Sequence, residues 1–458
     1  MHARLKTLAV LVGLTIAGTA SAAVTAEEAK KLGTTLTPWG AEIAGNKDGT
    51  IPAYTGGLKN PPPSYDPAKP GIRPDPFANE KPLLSITPAN YTQHADKLSE
   101  GQKAMFKKYA TFRMDVFPSH RTFKYPKAFL DNSIKNATSC KLTADGLGLE
   151  NCWGGTPFPI PKNGSEMMWN RILKFQAYSF GIDDAQSTVV DVSGNKIDTS
   201  GWSTRTLNTP FDPKRSTPLG SDEMWDLRRM DYHSPVRKAG EKLVIHDSLD
   251  MNNVGRKAWT YLAGQRRIKL SPDVGYDTPS PTGAGIGTVD DSSLFFGQLD
   301  RYNFKLVGKK ELYIPYNMYK IQDQTVCGRD VVLTKQHLNP DCVRWELHRV
   351  WVVEATLKEG KRHIYPRRTF YFDEDLLGGA GVAESYDASG AIYRFVQMHP
   401  TSFYEAEGGQ SEEFTVYDLQ TGSYVRQAYS LNKTGWVVTK PMPSAWYTPE
   451  ALAGSGVK

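Results

Sequence analysis

From Trp345 to Leu357 the chain alternates with a period of two. Leu347, Arg349, Trp351, Val353 and Ala355 fall on one side, and Glu346, His348, Val350, Val352 and Glu354 on the other. Successive strand residues point to opposite faces of a sheet. Apolar residues on both faces at the centre of this run predict an interior strand covered on each side. Arg367 to Asp373 reads as its neighbour. Tyr386 to Phe395 follows with a hairpin turn at Asp387-Ala388-Ser389-Gly390. Earlier, Lys257 to Leu270 places Trp259 and Tyr261 on one face, with a turn or bulge near Gly264, and Leu306 to Tyr313 reads as a further strand. From about Leu243 onward, strands at short spacing with few helices between them predict a mainly β, α+β chain built on a large, mostly antiparallel sheet.

Two helices are expected ahead of the sheet. Leu98, Met105, Tyr109 and Phe112 recur at helical spacing, and a second helix begins near Ser165 as N-cap with Glu166 in its first turn. Ten prolines lie between Ile51 and Asn90. Such a segment forms no regular element and is expected to run in extended conformations over the surface or as a solvated linker. The organisation read from the chain is residues 1–22 as a signal peptide, 23–90 as a Pro/Gly-rich wrap, and 91–458 as the β domain with its N-terminal helices.

The first segment reads as an export signal. Arg4 and Lys6 form a basic region, Leu8 to Ala17 an apolar one, and Ala20-Ser21-Ala22 a cleavage site, so cleavage is expected after Ala22. The apolar run is shorter than the roughly 20 residues that span a bilayer. The expected address is the periplasm. A formal charge of +6 over 458 residues lacks the strong basic stripe of a nucleic-acid binder. Cys140, Cys152, Cys327 and Cys342 are an even set in two local pairs. Four cysteines allow three connectivities, and disulfides Cys140–Cys152 and Cys327–Cys342 are expected because each closes a short loop around turn residues. A zinc site would want CxxC-type spacing or a nearby His, and neither pair has it.

Motifs for nucleophilic catalysis or phosphate binding are not found, and Gly283-Ala284-Gly285-Ile286-Gly287 does not open a helix after a strand. His348 and His363 are placed on two strands without a metal-ligand partner, and His233 reads as structural. Asp373-Glu374-Asp375 is the densest acidic spot. It is read as a solvated turn or as a partner for basic residues such as Arg367 and Arg368, with a divalent cation as the rival reading. No catalytic residue, cofactor or metal is assigned. What remains is aromatic sheet surface, which either fills a core or lines a cavity for an apolar ligand.

Several blocks together resemble the domain of unknown function 1329 family. They are Gly154-Gly155-Thr156-Pro157-Phe158-Pro159 with Glu166 and Trp169-Asn170, then Gly275-Tyr276-Asp277-Thr278-Pro279, then Glu311 to Asn317, Arg344 to Leu357, and Arg367-Arg368 with Phe370-Tyr371 and Asp373-Glu374-Asp375. The resemblance implies a bacterial exported protein with a fold similar to the lipoprotein carriers LolA and LolB. That fold is a curved, incomplete antiparallel barrel closed by helices around an apolar cavity. It also implies work alongside an outer-membrane protein and a resistance-nodulation-division type transporter. It carries over no catalytic residues.

The leading expectation is a periplasmic binding or carrier protein for a lipid or other hydrophobic compound. Trp259, Tyr261, Trp351, Val353, Phe370 and Phe372 are its candidate lining residues. The alternatives are an envelope hydrolase working through Asp373, Glu374 and Asp375, and a purely structural partner of an outer-membrane protein.

Overall fold

The computed structural model describes residues 24–431 and 434–454; the expected signal peptide lies outside them. Among the described residues no helix is long and apolar enough to cross a membrane. Among the described residues, three helices of nine or more residues precede the long sheet strands. α1 (Glu100–Lys108) is capped by Ser99, which accepts from the Gln102 amide while the Gln102 side chain accepts from the Ser99 amide. The four residues that signalled it, Leu98, Met105, Tyr109 and Phe112, are all buried, although only Met105 lies within its bounds. α2 (Lys127–Ser139) was not expected. Its buried face is Phe129, Ser133, Asn136 and Ala137, half polar, so apolar spacing does not reveal it. The polar members are satisfied internally: Asn136 Nδ2 donates to the Trp153 and Thr156 carbonyls, each at 3.0 Å. α3 (Gly164–Ile172) starts two residues earlier than expected because Asn163, not Ser165, is the N-cap and accepts from the Glu166 amide at 2.9 Å.

One sheet of sixteen strands organises the chain. Two short strands, β1 (Leu84–Ile86) and β2 (Met114–Val116), pair with each other at one edge. Four long strands follow the helices: β3 (Ser179–Val190), β4 (Lys196–Asn208), β5 (Met224–Ser234) and β6 (Lys242–Ser248). β7 (Arg256–Leu262) and β8 (Arg267–Leu270) form the hairpin expected there. Its left-handed residue is Arg266 (φ +50°), not Gly264. β9 (Tyr302–Pro315) carries a bulge at Gly308, and β10 is Trp345–Leu357. The next two are β11 (Arg367–Asp373) and β12 (Gly381–Tyr386). The last four are β13 (Ile392–Met398), β14 (Phe414–Asp418), β15 (Tyr424–Ser430) and β16 (Val437–Val438).

The spatial order is β1-β2-β10-β11-β12-β13-β14-β15-β3-β4-β5-β6-β7-β8, with β9 also on β10 and β16 also on β3. All pairings are antiparallel except a single contact of β2 with β10. The two edges do not pair, so the sheet is open. β10 is interior as its pattern demanded, flanked along its length by β9 and from Val350 to Thr356 by β11.

The main core packs the helices against β9–β14. A smaller apolar cluster of Phe180, Trp202, Tyr232, Leu243, Ile245 and Trp436 sits on the β3–β6 half. Disulfides join Cys140 to Cys152 and Cys327 to Cys342. The Pro-rich segment is no free linker. Trp39 is buried and donates to the Glu374 carbonyl at 3.2 Å, and Arg73 is buried and donates to the Trp436 carbonyl at 2.6 Å.

Candidate functional site

A cavity of about 1020 Å³, its open mouth included, lies on one face of β4, β5 and β6. The loop around 274–296, the end of α3 and Trp436 cover it. Strand alternation assigns its floor. Trp202 is the Cα partner of Tyr232, Thr204 of Met230 and Asn208 of Asp226. Met230 in turn faces Leu243, and Arg228 faces Ile245. All these side chains share one face.

The floor changes character along the strands. Trp202, Tyr232 and Leu243 form an apolar end with Val274 and Trp436 above them, and Ile245 lies between it and the polar end. Six residues further along β4, roughly 20 Å away at strand rise, Asn208, Asp226 and Arg228 meet Arg171, Lys174 and Glu412.

At that polar end Arg228 Nη1 donates to Glu412 at 2.8 Å, Gln176 Nε2 donates to it at 2.6 Å, and Lys174 Nζ lies 3.6 Å away. Burial alone would raise the Glu412 carboxyl, but the Arg228 and Lys174 charges outweigh it and hold Glu412 down at about 2. Asp226 accepts from Asn208 at 2.9 Å and lies 3.5 Å from Arg228; burial still pushes its carboxyl up. Arg171 is 3% exposed and lies beyond ion-pair distance of either carboxylate; Nη2 donates to the Ser293 carbonyl. Burial pushes Arg171 down to about 9 and Lys174 down to about 7. Four buried polar atoms here have no partner: Arg171 Nε, Trp225 Nε1, Asp226 Oδ1 and Arg228 Nε.

None of the six lining residues expected from the sequence borders this cavity. Trp259 and Tyr261 face the opposite side of the sheet, because their Cα partners are Val244 and Lys242, which alternate with the cavity-facing Leu243 and Ile245. They pack with Leu452 of the terminal helix α4 (Pro449–Gly454). Val353, Phe370 and Phe372 are fully buried in the main core. Phe370 stacks on Phe372 at 5.5 Å and meets Phe295 edge-on at 5.6 Å. Trp351 is half-buried, with Lys309 Nζ 4.8 Å above its ring.

The acidic cluster is the partner of basic residues, as one of the two expectations had it, but of other ones than those suggested. Asp373, Glu374 and Asp375 are buried, so they are no solvated turn. Their cations are Arg121, Arg349 and Lys309, not Arg367 and Arg368. The latter start the strand that Asp373 ends, about 20 Å away. Arg368 instead pairs with the buried Asp290 and Asp291 at 2.9 and 2.8 Å, and Arg367 stacks on Tyr386. His348, Asp373 and Asp375 bring ligand atoms within 4.8 Å of one another. Arg121, however, occupies both Asp375 oxygens, and Asp373 Oδ2 accepts from two backbone amides and Tyr316. Asp373 Oδ1 is left without a hydrogen-bond partner, and a cation there would compete with Arg121 for Asp375. Burial, reinforced by the Asp375 charge, pushes Asp373 up to about 7. His363 lies outside the strands and contacts Asp290 at 3.0 Å, and His233 is exposed.

An uncharacterized protein of Pseudomonas aeruginosa is 40% identical over 449 residues, covering 95% of each chain. Among solved structures, a putative outer membrane lipoprotein-sorting protein domain from Vibrio parahaemolyticus is similar at 12% identity and a TM-score of 0.42. It covers 63% of this chain and 98% of its own. A DUF1329 family protein from Desulfovibrio piger is similar at 15% identity and a TM-score of 0.37, covering 60% and 90%. The model of the protein of unknown function (DUF1329) family matches residues 85–453, and the chain belongs to that family.

Proposed function

We propose that the protein is a binding or carrier protein for a lipid or other hydrophobic compound, working in the cell envelope. The observation that carries this reading is the hollow over β4–β6, walled by Trp202, Tyr232, Leu243, Ile245 and Trp436. A packed interior leaves few voids larger than a water molecule. This hollow instead leaves a set of apolar and aromatic side chains without packing partners on their open side. At about 25 cal/mol per Å², a guest burying about 500 Å² of apolar surface gains about 12 kcal/mol. That gain offsets an association cost of several kcal/mol, so an extended greasy ligand suits the hollow better than a small solute. Two disulfides support an oxidising, exported address. In this reading the periplasm is the compartment, and an outer-membrane protein and a resistance-nodulation-division type transporter are the partners that give or receive the cargo.

The test is native mass spectrometry and lipid extraction of protein purified from its host, with N-phenyl-1-naphthylamine as an apolar dye. Bound hydrophobic material, or dye fluorescence that such material displaces, is the expected result. Protein that is consistently empty and ignores the dye would overturn the reading.

A further inference from the structure

We infer that the polar end of the cavity is the receptor for a negatively charged head, so that the ligand is an amphiphile with one oxyanion on an apolar body. The inference rests on the carrier reading and deepens it by naming the ligand class.

The charge balance argues for it. Three cations, Arg171, Lys174 and Arg228, meet two carboxylates, Asp226 and Glu412, at this end. With both carboxylates ionised and all three cations protonated, one positive charge is left over in a buried setting, where an unpaired charge is costly. Glu412 is already taken up by Arg228, Gln176 and Lys174. Arg171 therefore has a backbone carbonyl for a partner and no carboxylate. Its Nε is unpartnered, as is Trp225 Nε1. Both are N–H donors with no acceptor, and a carboxylate or phosphate supplies acceptors and the missing charge together.

The rows of β4, β5 and β6 begin beside this head site and run, by way of Thr204, Met230 and Ile245, to the apolar end at Trp202, Tyr232 and Leu243. A chain lying along the strands would keep its head at Arg171 and its tail among the aromatics.

The test uses the purified full chain at pH 7 and matched twelve-carbon probes: dodecanoate, dodecyl phosphate, dodecanol and dodecyltrimethylammonium. Binding is read as quenching or shift of tryptophan fluorescence, because Trp202, Trp225 and Trp436 border the cavity. At least one of the two anions is expected to bind about 10-fold tighter than the alcohol, and the cation weakest. Comparing the anions tells a carboxylate head from a phosphate head. R171M is expected to shrink the anion's advantage to within about 3-fold while dodecanol binds as before. Alcohol or cation binding as tight as the anions would overturn the head site and leave the carrier reading standing. Binding of none of the four would overturn both. The wild-type comparison decides the matter even if R171M fails to fold.

Discussion

Arg121 closes on Asp375 with two hydrogen bonds, Nε to Oδ2 and Nη2 to Oδ1, each 2.7 Å long. Both side chains are almost fully buried, so solvent does not screen the pair. Removing one partner leaves a buried charge alone. R121M is expected to lose about 3–5 kcal/mol of stability, read as a lower urea midpoint.

Asp373 has its folded value above its unfolded one, at about 7 against 3.8. Folding therefore takes up a proton between those values. The stability tied to the protonated form is full below about pH 4 and is lost as pH rises through about 7. D373N, which cannot ionise, is expected to be more stable than the wild type by roughly 1–3 kcal/mol at pH 8 and to show no such slope. Thermal melts from pH 4 to 9 check this. Loss of ligand binding in D373N would instead revive a functional role for the cluster.

Glu412 behaves in the opposite sense. Its folded value, about 2, lies below the ordinary 4.5, so its contribution is present above about pH 4.5 and is lost as pH falls toward 2. E412Q leaves Arg228, Lys174 and Arg171 without their nearest carboxylate. It is expected to cost roughly 2–4 kcal/mol at pH 7 and to flatten the acid limb of the stability curve, measured by denaturant titration at each pH.

Met230 lies on the cavity floor between Thr204 and Leu243. M230W is expected to fill part of the hollow and weaken apolar-dye binding about 10-fold. Stability should hold within about 1 kcal/mol, since space is available. Unchanged dye binding would place the dye elsewhere.

The Cys327–Cys342 bridge closes a loop with a sequence separation of 15, and the paired substitution C327S/C342S is expected to cost about 3 kcal/mol in the chain-entropy model. Guanidinium unfolding with and without reductant measures it.

Strand β10 was legible to its last residue because its burial is two-sided and its side chains are apolar. β3, β4 and β5 were not, although they are among the longest strands. Their inward rows carry Thr204, Asn208, Asp226 and Arg228. A search for alternating apolar residues passes over a strand whose buried face is polar. The feature that makes this face a site is the one that concealed it; the Ser/Thr-rich alternation from Thr199 to Thr206 was the signal available. Strand parity explains the other loss. Trp259 and Tyr261 were rightly placed on one face, but sequence does not tell which face of a sheet is the hollow one. The cations of Asp373-Glu374-Asp375 were illegible for a simpler reason. Arg121 lies more than 250 residues earlier, and only tertiary folding brings it there.

The bond from Arg73 to the Trp436 carbonyl spans 363 positions, and Trp436 walls the hollow. The container is thus assembled from segments near opposite ends of the polypeptide. A chain that still lacks its last segment has the floor but not the wall, so the hollow is complete only once the whole molecule has folded.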